Sequence, residues 1–118
     1  MDNKIINNFT KVPNELYQLY TQIDGFTGEH IALYMILLSY YNENYGYAFP
    51  PQNELRNLLN CGINKPGQLA RKLQDVGLIE YKRKHAGGNY VYYVFPPIKD
   101  RQLFYEKFPD AKPISERK

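Results

Sequence analysis

Residues 61–94, CGINKPGQLARKLQDVGLIEYKRKHAGGNYVYYV, decide the fold. Leu69, Leu73 and Val76 recur at i, i+4 and i+7, the spacing of one buried helix face. Asn64 stands as the N-cap, Pro66 fits the first turn, and Gly77 supplies the stop. Leu78 to His85 and Tyr90 to Phe95 then read as two strands rich in Tyr, Val and Ile. Ala86-Gly87-Gly88-Asn89 is the turn between them. A helix that passes at once into a basic-tipped hairpin is how a recognition helix hands over to a wing.

Upstream, Pro50-Pro51 opens a helix over about 51–60. Leu55, Leu58 and Leu59 form its expected buried stripe, and Gly62 its terminator. Gly62-Ile63-Asn64 is a turn of helix-turn-helix length, with Ile63 as the apolar residue packing the two helices together. Before this, residues 28–44 predict the strongest helix. Thr27 caps it, Glu29 sits in its first turn, and Ile31 to Leu38 is apolar on almost every face, the mark of a central spine. A short helix over about 13–21 precedes it, and Tyr47-Ala48-Phe49 predicts a short strand. Downstream, Pro96-Pro97 breaks the second strand. Residues 98–108 predict an amphipathic helix with Leu103, Phe104 and Phe108 inward. The expected fold class is α+β: a winged helix-turn-helix with a basic β-hairpin wing and a short C-terminal helix. Residues 1–109 form the domain, and 110–118 a polar, frayed tail or linker.

Composition agrees with this reading. The 118 residues fit one domain. Twelve Tyr, six Phe and no Trp make Tyr the large core residue, with hydroxyls left to reach water or phosphate. The net charge of +3 conceals a polarity. Residues 1–55 hold Lys4 and Lys11 against Asp2, Glu15, Asp24, Glu29, Glu43 and Glu54, a net of −4. Residues 56–85 hold Arg56, Lys65, Arg71, Lys72, Lys82, Arg83 and Lys84 against Asp75 and Glu80, a net of +5. A concentrated basic block is a nucleic-acid signal.

If Leu69, Leu73 and Val76 face inward, then Lys65, Gln68, Arg71, Lys72 and Asp75 face out. Gln68 and Arg71 suit bidentate contacts with base edges, Lys65 and Lys72 suit phosphates, and Asn64 joins them at the helix start. Gly67 leaves room for a close phosphate. Lys82, Arg83, Lys84 and His85 would hold the flanking backbone, with Asn89 and Tyr90 as further phosphate or sugar contacts. Each cluster has a blander reading. A basic helix face is often only solvated, and lysine in a hairpin also guards an edge. Their adjacency after a helix-turn-helix pattern favours DNA.

Other classes find little here. No nucleophile constellation and no Gly-rich phosphate loop is present. Cys61, read as buried filler, and His30, read as a surface residue, are not at metal-ligand spacing. No cofactor, metal, small-molecule substrate or enzyme activity is expected. The N-terminal residues MDNKIINNF lack the apolar run of a signal peptide, no stretch is long enough to span a bilayer, and a lone cysteine fits the cytoplasm.

The run GYAFPPQNELRNLLNCGINKPGQLARKLQDVGLIEYKRK resembles the helix-turn-helix of plasmid and phage replication proteins. The lead-in NNFTKVPNELYQL with GEHIALYMILLSYYN resembles the start of DnaD-type replisome organisers and plasmid replication initiators. The resemblance spans about residues 8–95. It implies a winged-helix domain that binds double-stranded DNA to help start replication, often with self-association and alongside other replication proteins. By position, Asn64 to Val76 would be the recognition helix and Tyr81 to Tyr93 the wing. Two departures stand out: Pro51 replaces a capping Ser, and Asn64-Lys65-Pro66-Gly67 replaces the usual Ser-Arg-x-Thr. Two other functions stay open: a transcriptional regulator using the same surface, and a protein-interaction or scaffold module. Ile5, Ile6 and Phe9, or Leu103, Phe104 and Phe108, are the candidate self-association faces.

Overall fold

A computed structural model describes residues 10–83 and 89–117. The expected helix over 13–21 is two pieces: α1 (Glu15–Gln18) and a 3-10 turn (Tyr20–Gln22). Pro13 and Asn14 accept the first amide bonds of α1, so the proline sits where its missing N–H costs nothing. Next comes α2 (Gly28–Ser39), capped by Thr27. It is five residues shorter than expected, because Asn42 ends the segment differently. Its Oδ1 accepts from the Asn44 and Tyr45 amides, and its own N–H donates to Tyr47 O. An Asn side chain that bonds nearby backbone competes with helix.

The helix-turn-helix follows as α3 (Gln52–Leu59) and α4 (Lys65–Asp75). Pro51 makes no side-chain cap bond, as its replacement of Ser implies. The stop of α3 is Asn60 in the left-handed conformation (φ 53°), not Gly62. Only Leu55 of the expected stripe is fully buried, and Leu58 is 51% exposed. Ile63 does not pack the two helices together: it is 72% exposed. Asn64 precedes α4 but makes no side-chain cap bond, and its backbone is already helical. Pro66, Leu69, Ala70 and Leu73 are buried along α4, and Val76 just beyond it. Cys61 is a free thiol and only half-buried.

Gly77 (φ 85°) then reverses the chain. Its N–H donates to Gln74 O at 3.0 Å, and Leu78 N–H donates to Leu73 O at 2.9 Å. These two bonds form a Schellman motif, and Leu73 and Leu78 are both buried in the core. The wing follows as β1 (Ile79–Arg83) antiparallel to β2 (Tyr90–Val94), with Tyr81 opposite Tyr92. Lys84, His85 and the turn 86–88 lie outside the described residues. The strand expected at 47–49 is reduced to two isolated bridges, Tyr47 with Asn42 and Ala48 with Tyr92, the latter through two backbone bonds at 2.9 and 2.8 Å. Tyr34 of α2 donates its hydroxyl to Phe95 O, fastening the end of β2 to the spine.

After β2, α5 (Arg101–Lys107) is capped by Asp100, which accepts from Leu103 N–H. Phe104 is in the core against the Tyr20 ring at 5.1 Å, whereas Leu103 is 56% exposed. Phe104 is therefore not available to the self-association face considered above. The other such face, Ile5, Ile6 and Phe9, lies outside the described residues. Residues 110–117 of the polar tail make local structure and contacts. A 3-10 turn (Ile114–Glu116) forms, and Lys112 and Arg117 bond back to the first helical segment.

Leu73 carries the packing of α4, so Leu73→Ala is expected to cost about 2–5 kcal/mol in urea denaturation. Leu58→Ala, on the exposed side of α3, should change stability by less than about 0.5 kcal/mol.

Candidate nucleic-acid interface

Burial of Leu69, Ala70 and Leu73 leaves Asn64, Gln68, Arg71 and Asp75 exposed, three or four residues apart, as one stripe on α4. Gln68 and Arg71 have the donor geometry for base edges or phosphate. Asp75 stands at the far end, so the half of the stripe nearer the helix start favours an anion. Gly67 is exposed, and an added Cβ would meet nothing within 4 Å. The bare backbone is open to an incoming group, although the fold itself does not require glycine there. Ile63 was assigned to packing in the sequence. It instead lies exposed beside Asn64, where an apolar side chain can meet a thymine methyl.

Lys65 and Lys72 are not free members of that stripe. They lie on the flank of α4, Lys65 against the first turn of α2 and Lys72 against the loop that leads into it. Lys65 Nζ is 3.3 Å from the Glu29 carboxylate. Lys72 Nζ donates to Asp24 O at 2.9 Å and rests against Gly25, whose φ is 82°. An ammonium has three N–H donors, so each lysine keeps others for phosphate.

His30 lies in the same region. It is buried, contrary to the surface position expected, and serves as the reciprocal half of a capping box. Thr27 N–H donates to its Nδ1 at 3.0 Å, and Thr27 Oγ1 is 3.1 Å from the same atom. Its ring stacks on Phe26 at 5.3 Å. Burial, the nearby Lys72 and, more weakly, Lys65 lower its pKa from the ordinary 6.5, against an upward pull from Glu29 and Thr27. The ring is therefore a neutral acceptor.

The wing is tied to α4 by Gln74, whose Oε1 accepts from Tyr81 N–H at 2.9 Å. Side chains alternate across the ribbon, so Ile79, Tyr81 and Arg83 share one face and Glu80 and Lys82 the other. Arg83 donates to Tyr90 Oη at 3.0 Å and lies over that ring. Lys82 lies 5.3 Å from the centre of the Tyr93 ring, beside the edge-to-face series Tyr93, Tyr47 and Phe49. Lys82 and Arg83 thus lie on opposite faces of the wing. Asn89 is exposed at the start of the returning strand. Lys84 and His85 lie outside the described residues. Among the described residues, no His, Cys, Asp and Glu cluster could hold a metal ion, and no helix is long and apolar enough to cross a membrane.

Residues 25–79 match the profile of a helix-turn-helix domain family. No curated protein matches the sequence. Three solved structures are similar in fold over almost the whole chain. One, described as the N-terminal domain of a DNA binding protein, is 20% identical, with a TM-score of 0.62 and 94% of each chain covered. A Rep–DNA complex is also 20% identical, with a TM-score of 0.62, covering 94% of this chain and 95% of that one. An MDR initiator is 18% identical, with a TM-score of 0.59 and coverage of 93% and 95%. The architecture is a winged helix-turn-helix.

The His30 environment gives a pH dependence with a definite sign. The unfolded state binds the proton more readily, so the stability that depends on the neutral ring is complete above pH 6.5. It is lost as pH falls through that value toward the lower folded pKa. Melting temperature should therefore fall between about pH 7.5 and pH 5.5. His30→Gln, which keeps an acceptor at the cap without ionising, should flatten that fall.

Proposed function

We propose that this chain binds double-stranded DNA in the initiation of plasmid or phage replication. In this reading α4 enters the major groove and the wing follows the flanking backbone. The observation that carries it is a coincidence. The helix-turn-helix match falls on the helix whose exposed stripe holds Asn64, Gln68 and Arg71. The near full-length likeness in fold to a Rep–DNA complex and an MDR initiator supports the replication setting. Gln68 and Arg71 are the base-reading candidates. Lys65, Lys72, Lys82, Arg83 and Asn89 serve the phosphates, with Lys84 and His85 carried by the sequence alone. These side chains are donors suited to holding an anion, which supports binding as the proposed role. Self-association would add a second half-site. Replication proteins are the expected protein partners.

Selection of bound sequences from a random duplex pool tests the reading. A repeated site found as an array at an origin fits it, and a single promoter palindrome favours a transcriptional regulator. Arg71→Ala should weaken binding by about 1–3 kcal/mol and relax preference at the base it reads. Lys82→Ala/Arg83→Ala should weaken binding to all sequences and reduce the slope of log affinity against log salt by about one to two. No salt-dependent binding by the parent at low ionic strength would return the domain to the protein-interaction class.

A further inference from the structure

We propose that Arg117, near the far end of the described chain, is a positioning residue for DNA binding. It clamps the C-terminal segment onto the 3-10 turn that ends two residues before Asp24, whose carbonyl holds Lys72 beside the exposed stripe of α4. The inference rests on the proposed function.

The contacts reach Gln22, and the backbone of Ile23 carries them on to Asp24. Arg117 Nη2 donates to Gln22 O at 2.7 Å and to Thr21 O at 3.2 Å, while its Nε donates to Lys112 O at 3.1 Å. Lys112 N–H donates to the same Gln22 O at 3.0 Å. Arg117 Nη1 is 3.8 Å from the Asp24 carboxylate. Thr21 and Gln22 end the 3-10 turn, where carbonyls lack helical partners and carry partial negative charge. A planar guanidinium spans two such carbonyls and a third acceptor, whereas an ammonium lacks that fixed fork. Two residues past the held turn, Asp24 O accepts from Lys72 Nζ at 2.9 Å, with the ammonium resting beside Gly25. A lysine already laid along its neighbour loses less freedom when a phosphate arrives, so the clamp raises affinity.

Two measurements test this. Without DNA, Arg117→Ala should speed amide exchange at Phe26 and Thr27 while far-UV dichroism stays that of the parent. With a mixed-sequence duplex of about two helical turns, Lys72→Ala should lower affinity about fivefold at low salt. Arg117→Ala and the charge-keeping Arg117→Lys should each lower it about threefold, and the Arg117→Ala/Lys72→Ala double variant should be no weaker than Lys72→Ala alone. Arg117→Lys binding like the parent, or a double variant falling by the product of the single effects, overturns the proposal. If Lys72→Ala alone binds like the parent, the inference falls while the proposed function stands on Arg71 and the wing. If the parent itself does not bind, both fall.

Discussion

The reversal at Gly77 sets the position of everything that could touch DNA. A left-handed residue there lets Leu78 return its N–H to Leu73 and its side chain to the same apolar pocket. The helix α4 and the first wing strand β1 are thus joined with no slack between them. Ala48 bonds to Tyr92 from the other side, and the Tyr34 hydroxyl fixes Phe95. Hydrogen bonds therefore hold the ribbon at several points, and Arg83 inherits its direction from them. A binding surface built this way needs little reorganisation when its partner arrives.

The parts written in local chemistry were legible in the sequence. The apolar spacing of α4, the glycine after it and the β-rich runs of the hairpin each have a short-range cause. What escaped depends on distant partners or on how thickly the core covers each face. Leu58 and Ile63 are apolar, but a domain with so few layers leaves them in water. The end of α2 turns on which bonds the Asn42 side chain chooses. His30 looks like a surface residue until Thr27 is seen donating to it. Lys65 and Lys72 occupy the flank that wheel geometry allows, yet nothing local reveals that their acceptors come from the first turn of α2 and the loop before it. The docking of Arg117 on Thr21 and Gln22 joins opposite ends of the chain, which no window of sequence contains.

The acidic first half is not simply repelled by the same surface. Glu29 and Asp24 lie beside the basic helix, one through its carboxylate and the other through its backbone carbonyl. Exposed pairs of this kind add little stability, so their effect is on where the lysines rest. The same lysines help keep His30 neutral. Charge segregation along the sequence thus becomes charge contact in space.

Gln74 has a second consequence through the amide it meets. The Tyr81 N–H points away from β2, toward the open margin of a two-stranded ribbon. A bare amide in that place is an invitation for a stray strand from another molecule to add on. With Gln74 seated on it, that site is filled from within the molecule. The side chain that aims the hairpin is also one that keeps crowded copies of this protein from zipping together.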